Sequence, residues 1–198
     1  MPLTHSFLGL DLGQRSDYSA LSILEFHPHP SPQRHPATYE FLTNPKLHIL
    51  SLTRFPLGTP YPKIAQAVRD HIQPQSTLVV DATGPGLPFL DFLTTTPLPA
   101  NLIRILITSS GTPHYTNGHH YVSRRALLLN LAVLAQNRRL SISPTLTHTK
   151  TLLDELSAIR HDGSSTAPHD DFAIATSLAA WQAAKRFRKF LNPAEVQQ

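Results

Sequence analysis

Residues 7–24 read FLGLDLGQRSDYSALSIL, and this stretch decides the predicted fold. Two runs rich in Leu, Ile and Phe, residues 6–12 and 18–26, flank a polar turn that contains glycine. This pattern predicts a β-hairpin. Asp11 closes the first strand, and Asp17 follows across the turn. Asp17 is therefore able to face the same site as Asp11.

Two later segments also place acids at the ends of apolar elements. Residues 77–81 (TLVVD) are continuously apolar up to Asp81, as expected of a central strand that is buried on both faces. Asp170 and Asp171 open a long apolar helix, predicted at 170–190. The chain thus has three separate segments in which an apolar element begins or ends with a carboxylate.

We predict that the fold brings Asp11, Asp81 and Asp171 to one point. The two strands that end in aspartate would lie side by side at the centre of the sheet, and the C-terminal helix would begin beside them. Mg²⁺ and Mn²⁺ prefer carboxylate oxygens, and two such ions about 3.5–4 Å apart support phosphodiester hydrolysis. Three like charges repel one another, so this arrangement of carboxylates should be unfavourable when no metal ion is bound. The alternative is that Asp11 and Asp81 merely end strands and form turns.

Three acids and one histidine each have more than one interpretation. Asp17 is either a further metal ligand or a turn-forming residue. Either Asp170 or Asp171 could cap the helix instead of binding metal. His169 is a residue that supports the ligands, a general acid/base, or a solvated loop residue.

The composition fits one globular domain. The chain has 198 residues, 40% of them apolar, and no cysteine, which excludes disulfides and thiolate metal sites. No apolar run approaches the roughly 20 residues of a membrane-spanning helix, and the first five residues do not resemble a signal peptide, so a cytoplasmic protein is expected. A net charge of +4 is compatible with binding a polyanion. We expect a single domain over residues 1–198, with its core at about 6–190.

The order of the other elements predicts an α/β fold. Strands come first, then alternating helices and strands, then helices, which favours a mixed sheet (an antiparallel meander plus parallel strands) flanked by helices. Four prolines predict a loop at 27–36, and polar residues predict another at 109–122. Further strands are predicted at 37–43, 46–54 and 102–107, the last of them buried, and residues 140–143 are either a short strand or an extended link. Helices are predicted at about 61–71 and 87–94, after Ser123 as the N-cap, and at 147–160.

Two other patterns are relevant to nucleotide binding and to zinc binding. Residues 84–86 (GPG) follow Asp81 but lack the Gly-Lys-Ser/Thr ending of a phosphate-binding P-loop. Histidines occur in adjacent or near-adjacent pairs, but without the i, i+4 helical spacing of a zinc pair, so a zinc site is not predicted from them. These pairs are His119 with His120 and His27 with His29.

Three arginines are predicted to contact DNA: Arg15, Arg124 and Arg125. Arg124 and Arg125 follow the long loop 109–122, and each phosphate that a cation neutralises adds salt dependence to binding. The alternative is that they form a solvated helix end.

The order of several segments resembles the nuclease domain of phage terminase large subunits. The similarity runs over residues 6–182. Each segment alone is short and unspecific, and the order and spacing of the segments together are more specific. The segments are GLDLGQRSDYSALSIL (9–24), LVVDATGPG (78–86), SRRALLLNLAVLAQNRRLSI (123–142), LLDELSAI (152–159) and HDDFAIATSLAAW (169–181).

The resemblance implies a ribonuclease-H-like fold and metal-dependent cleavage of double-stranded DNA during genome packaging, with Mg²⁺ or Mn²⁺ as cofactor, two ions being expected. It matches Asp11, Asp81 and Asp171 to the family's acidic ligands, and Asp17 and Asp170 to accessory acids. Many family members have a lysine where this chain has Arg124 or Arg125. Large subunits also have an ATPase motor that is not expected here, so the implied partners are DNA and a separate packaging ATPase, portal or small terminase subunit.

Two other functions compete with this one, and a third alternative is a catalytically inactive structural or DNA-binding relic, against which the intact acids argue. A Holliday-junction resolvase has the same fold and also cleaves DNA. An actin-like or sugar-kinase-like nucleotide-binding module is suggested by residues 9–13 (GLDLG) and 81–84 (DATG), although such proteins normally need two domains of this kind.

Overall fold

The computed structural model describes residues 4–13, 17–34, 39, 41–160 and 162–188. Arg15, one of the predicted DNA contacts, lies outside these residues. The strands are β1 (His5–Asp11), β2 (Ser19–His27), β3 (Pro30–Arg34), β4 (Phe41–Thr43), β5 (Lys46–Phe55), β6 (Thr77–Asp81), β7 (Asn101–Thr108), β8 (His114–Thr116), β9 (His119–Ser123) and β10 (Leu140–Ile142). The helices are α1 (Tyr61–His71), α2 (Gly86–Leu93), α3 (Arg124–Gln136), α4 (Thr149–Ser157) and α5 (Asp171–Arg186).

An eight-stranded mixed sheet organises the molecule, as the sequence predicts. Its strand order is β10-β5-β2-β1-β6-β7-β9-β8. β1, β2 and β5 form an antiparallel meander, whereas β6 and β7 run parallel to β1 and β9 runs parallel to β7. The two strands that end in aspartate, β1 and β6, are hydrogen-bonded neighbours at the centre of the sheet.

Side chains alternate between two helical layers, because successive residues of a strand point to opposite faces. On β1, Leu8 and Leu10 pack with α1 and α2, whereas Phe7 packs with α5. On β6, Val80 shares the α1/α2 face and Val79 shares the α5 face. Helices α3 and α4 also pack on the α5 side. The core therefore lies in two apolar layers, one on each face of the sheet.

Helix α5 is the most deeply buried helix of the described chain, and its small residues allow this. Its buried side chains include a run of alanines, so the backbone approaches the sheet closely. At Gly9 the approach is closest: a Cβ there would stand 1.9 Å from the carbonyl oxygen of Ala175. A buried hydrogen bond of 3.0 Å, from Thr176 Oγ1 to Ser22 Oγ, joins α5 to β2. The helix is thus held in one position against β1 and β2.

The proline-rich segment 27–36 contains a strand, so the prediction of a loop is wrong there. β3 pairs antiparallel with β4 in a separate two-stranded ladder. Both strands of such a ladder are edge strands, where proline is tolerated. Of the predicted strand 37–43, only 41–43 is described as a strand, and it lies outside the main sheet. The predicted meander therefore has three strands, β1, β2 and β5.

The segment 109–122, predicted as a loop, contains the hairpin of β8 and β9. Asn117 and Gly118 both have positive φ in the turn, at 50° and 78°, which is the backbone geometry that such two-residue turns require. The Asn-Gly pair between polar strands is the signal that the prediction overlooked. Strand β7 is also less buried than predicted, with only Ile105 fully buried, because it lies between the central strands and this exposed hairpin.

Across the described residues, no helix combines the length and apolar character that crossing a membrane requires.

Candidate active site

The carboxyl ends of β1 and β6 place Asp11 and Asp81 side by side. Leu10 pairs with Val80 in the parallel register, and each aspartate is the next residue of its strand. Alternation along the strands directs both aspartates towards the α5 face, the face of Phe7 and Val79. Strand pairing alone thus brings together two acids that are 70 residues apart in sequence.

Packing of α5 against β1 adds Asp171 to this pair. Asp171 is the first residue of α5, one helical turn before Ala175, and Ala175 contacts Gly9, two residues before Asp11. Two strand residues span about 7 Å and four helical residues span about 6 Å. Because these lengths nearly match, the helix N-terminus lies level with the end of β1.

These elements line a cavity of about 420 Å³ at the end of the sheet. All six residues that were predicted as metal ligands or ligand supports border it. They are Asp11, Asp17, Asp81, His169, Asp170 and Asp171. Tyr18 and the turn 83–85 also line the cavity. The predicted convergence is present, whereas the metal-binding role of these residues stays a prediction.

The aspartates surround the cavity without touching one another in a group. Among the described residues, the three-residue set whose possible ligand atoms all lie within 4.8 Å of one another is a histidine cluster elsewhere, and it includes none of these acids. The aspartates therefore line the cavity without forming a set of three whose oxygen atoms all lie within that distance of one another.

Asp11 lies among the charges of the other acids of the cavity. Burial raises its pKa well above the usual value, and the charges of Asp81, Asp171 and Asp170 raise it further. Arg124 acts in the opposite direction. The repulsion expected among clustered carboxylates is therefore present around Asp11.

Asp81 is held by the turn that follows β6. The backbone N–H of Thr83 donates a hydrogen bond of 2.8 Å to Asp81 Oδ1, and Thr83 Oγ1 accepts one of 2.9 Å from the backbone N–H of Ile107. Burial raises the pKa of Asp81, and the hydrogen bonds with Thr83 partly offset this. Gly86 is required beside this turn, because a Cβ there would stand 1.9 Å from the Asp81 carbonyl oxygen.

Asp171 belongs to a buried charge network that the sequence analysis did not find. Arg54 Nε lies 2.8 Å from Asp171 Oδ2, and the same guanidinium pairs with Glu155. The second oxygen of Glu155, Oε2, accepts a hydrogen bond of 2.9 Å from the backbone N–H of Ala173. Burial raises the pKa of Asp171, with Arg54 acting against it, and burial raises the pKa of Glu155 to about 7.

The position of Arg54 is fixed by stacking as well as by charge. Its guanidinium lies 5.0 Å from the ring centre of Tyr18 and 4.5 Å from that of Phe172. Arg54 ends a strand predicted from sequence, and Glu155 lies three residues after Leu152 on the inward face of a predicted helix. That inward placement was the available signal for Glu155, because a charge on an apolar helix face needs a buried partner.

Asp170 is at the N-cap position of α5, but among the described residues its side chain makes no capping hydrogen bond. It pairs instead with Arg124, the first residue of α3. Arg124 Nε also donates a hydrogen bond of 2.8 Å to the carbonyl oxygen of Gly163. The predicted cap of α3 is present, since Ser123 Oγ accepts a hydrogen bond of 3.2 Å from the Ala126 N–H.

The other predicted residues lie at the border of the site or away from it. Asp17 is exposed on the cavity wall. His169 is half-buried, and its ring packs edge-on against Tyr18 at 4.9 Å. Arg125 points away from the acids and lines a separate groove between α3 and α4.

The residues fit a divalent cation. Their ligand atoms are carboxylate oxygens, which Mg²⁺ and Mn²⁺ prefer. Asp171 Oδ2 is paired with Arg54 Nε at 2.8 Å. The charges of Asp81, Asp171 and Asp170 act together on Asp11, and a cation in the cavity would relieve this repulsion.

Comparison with solved structures identifies the fold. The chain is similar to the large terminase nuclease from thermophilic phage G20c, with a TM-score of 0.58 and 20% identity over 92% of this chain and 84% of that one. The magnesium-bound structure of that nuclease gives a TM-score of 0.55 at 20% identity, covering 92% and 83%. The manganese-bound g2p (large terminase) nuclease domain from bacteriophage SPP1 gives 0.52 at 14% identity, covering 90% and 86%.

The sequence by itself matches no protein-family model and none of the curated proteins. The similarity is therefore one of structure, and it extends over about nine-tenths of the chain. The chain has the ribonuclease-H-like fold of the terminase nuclease domains.

Proposed function

We propose that this protein is a metal-dependent endonuclease that cleaves double-stranded DNA by hydrolysis of phosphodiester bonds. The observation that carries the proposal is the meeting of Asp11, Asp81 and Asp171 around one cavity at the carboxyl ends of two parallel strands. The fold is that of solved nuclease domains, two of which have bound magnesium or manganese.

Asp11, Asp81 and Asp171 would hold the cofactor, which we propose to be two Mg²⁺ or Mn²⁺ ions, with Asp17 and Asp170 as additional acids at the rim. When bound, the ions would activate a water molecule and neutralise charge on the phosphate and its leaving oxygen. Arg54 keeps the Asp171 carboxylate oriented and charged. The Thr83 N–H fixes the rotamer of Asp81 through its hydrogen bond to Oδ1.

His169 is proposed to deliver or accept a proton at the cavity mouth, since it borders the cavity and its ring packs against Tyr18. The protonated ring would donate to the departing oxygen of the cleaved strand. Its half-buried position at the rim gives it access both to substrate and to solvent.

DNA is the substrate that the charge distribution favours. Five of the chain's 13 acidic residues line the cavity, so the rest of a surface with net charge +4 is more basic than the total indicates. Arg124 stands at the cavity rim beside Asp170 and would contact a phosphate next to the cleaved bond. A role in genome packaging would place the protein in the host cytoplasm with a separate packaging ATPase, portal or small terminase subunit.

The test is cleavage of supercoiled plasmid by the purified chain in Mg²⁺ or Mn²⁺. The wild type should nick and then linearise the plasmid, and EDTA should stop it. Asp81→Asn should abolish cleavage, because it removes one of the charged ligands proposed for the ions. The matched control is Asp91→Asn, which changes an exposed acid of α2 and should cleave at the wild-type rate. Undiminished cleavage by Asp81→Asn would remove these acids from the mechanism.

The same preparation separates the competing functions. A four-way junction and a linear duplex of equal length should be cut at similar rates, whereas a resolvase would strongly prefer the junction. Calorimetric titration with ATP and Mg²⁺ should give no heat of binding, whereas a nucleotide-binding module would bind.

A further inference from the structure

Three histidines meet at the end of the sheet opposite the acid cavity. His27 is the last residue of β2, His29 follows it, and His48 lies in β5. Their possible ligand nitrogens all lie within 4.8 Å of one another. The Nε2 atoms of His29 and His48 are 3.0 Å apart. β2 begins beside Asp11, so the cluster is roughly 20–25 Å from the acids along the strand.

Strand register explains why these residues meet. His48 is directly opposite Glu25, and His27 is directly opposite Lys46, in the antiparallel pairing of β2 and β5. Glu25 and His27 are two residues apart and therefore share one face of the sheet. The chain then turns back at His29, whose carbonyl oxygen accepts a hydrogen bond of 2.6 Å from the Asn44 N–H.

We propose that His27, His29 and His48 form a second metal site, which binds one Zn²⁺ or a similar transition-metal ion. Zn–N bonds are about 2.0–2.1 Å long in tetrahedral sites, which puts neighbouring ligand nitrogens about 3.3 Å apart. The observed separations, from 3.0 Å up to at most 4.8 Å, need only small side-chain rotations to reach this value. Imidazole ligands select Zn²⁺, Ni²⁺ or Cu²⁺ over Mg²⁺ and Mn²⁺.

Glu25 provides the support that histidine ligands of metals usually have. Its Oε1 lies 2.5 Å from His27 Nε2, and a carboxylate in this position orients the ring and increases its basicity. Lys46 is also close, and its positive charge would repel a bound cation. The negative charge of Glu25 compensates for this repulsion. Three protein ligands leave one tetrahedral position for water.

A metal at this point would fasten the segment before β3 to β2 and β5, which are already paired with each other in the main sheet. His29 is exposed, and the β3–β4 ladder that follows it is a separate sheet. An ion held jointly by β2, β5 and the segment before β3 would fix the ladder against the main sheet. The alternative is a group of solvated histidines without an ion.

The experiment uses untagged, full-length, metal-free protein titrated with Zn²⁺ in the presence of excess Mg²⁺, which is added to compete with Zn²⁺ for the acid cavity. One equivalent should bind, and the thermal unfolding temperature should rise with it. Co²⁺ in place of Zn²⁺ should give the visible absorption of a tetrahedral site. Asp81→Asn should bind Zn²⁺ like the wild type, because the two sites are separate.

His29→Ala should weaken Zn²⁺ binding by about 100-fold or more, since even a residue that only orients a ligand contributes 10–100-fold. His29 is exposed, so its replacement should not disturb folding. Glu25→Gln should weaken binding by about 10-fold. The control is His71→Ala. His71 is exposed at the end of α1, and its ring is hydrogen-bonded to the carbonyl oxygen of Ala67 in the same helix. Equal affinity in His29→Ala and His71→Ala, or no stoichiometric binding by the wild type, would overturn the proposal whatever the nuclease assay shows.

Discussion

Gly9 in β1 and Ala175 in α5 are in direct backbone contact, and this contact sets the distance between the strand and the helix. A Cβ at Gly9 would stand 1.9 Å from the Ala175 carbonyl oxygen and 2.9 Å from the Ala179 nitrogen. Asp11 and Asp171 lie just beyond this contact, on the strand and on the helix. The spacing of the two acids therefore depends on the absence of a side chain at Gly9.

Replacing Gly9 with alanine should destabilise the protein and disturb the site together. The new Cβ would collide with backbone atoms that move only if α5 moves, and overpacking of this kind costs about 3 kcal/mol. Urea unfolding should show the loss, and Mn²⁺ titration should show weaker binding. Leu129→Ala, at an exposed position of α3, is the control and should change little. Wild-type stability in Gly9→Ala would mean that α5 is not fixed by this contact.

Asp11→Asn should stabilise the metal-free protein. Burial and three neighbouring carboxylates raise the Asp11 pKa, so removing this charge relieves both desolvation and repulsion in the folded state. Thermal unfolding in EDTA should therefore occur at a higher temperature than in the wild type. Added Mn²⁺ should stabilise the wild type and have little effect on Asp11→Asn. A variant less stable than the wild type in EDTA would contradict the repulsion.

Glu155 should contribute a fall in stability in EDTA as pH rises from 4.5, its usual pKa, to about 7, its pKa in the folded protein. The pKa is raised by burial, so the folded protein binds this proton more tightly than the unfolded chain does. The stabilisation is complete below pH 4.5 and is lost as pH rises through 7. It amounts to at most about 3 kcal/mol. Glu155→Gln, measured by urea unfolding across this range, should show a smaller decrease. An identical pH dependence in both proteins would exclude Glu155 as its source.

Arg54→Met should destabilise the protein by about 3–5 kcal/mol. The substitution leaves the carboxylates of Glu155 and Asp171 buried without their cation. Low pH should restore part of the loss, because both acids then become neutral. Lys150→Met is the control: it breaks an exposed pair with Asp154, which contributes about 0.5 kcal/mol or less. A loss as small as the control's would show that the network does not stabilise the fold.

Arg124→Ala should weaken DNA binding and lower its salt dependence, because one phosphate contact is removed. Arg125→Ala should have a smaller effect, since Arg125 borders the groove between α3 and α4 and not the acid cavity. Both are measured by fluorescence anisotropy of a labelled duplex in Ca²⁺, a cation that commonly permits binding without cleavage. The reverse ranking would place the DNA path on the α3–α4 side.

Local patterns in the sequence were sufficient for the central architecture. Apolar runs that end in aspartate predicted β1 and β6, and the apolar run after Asp171 predicted α5. The errors occur where tertiary context decides. Prolines at 30 and 32 are tolerated because β3 is an edge strand, and the polar hairpin of β8 and β9 has almost no apolar alternation to detect.

Two sets of contacts could not be predicted from the sequence. Arg54 and Glu155 are 101 residues apart, and nothing in either segment identifies the other as a partner. His27 and His29 were set aside for lack of helical spacing, yet strand register brings His48 to them from a third position. Metal-ligand spacing rules for helices do not apply to ligands gathered across a sheet.

The sequence by itself determined the central elements and which of them begin or end in an acid, because hydrophobic periodicity and the position of an aspartate in the chain are local properties. Tertiary structure decided which side chains meet. Parallel pairing of β1 with β6 and the glycine contact with α5 fix distances between residues remote in the chain, and those distances depend on backbone packing that no local pattern encodes.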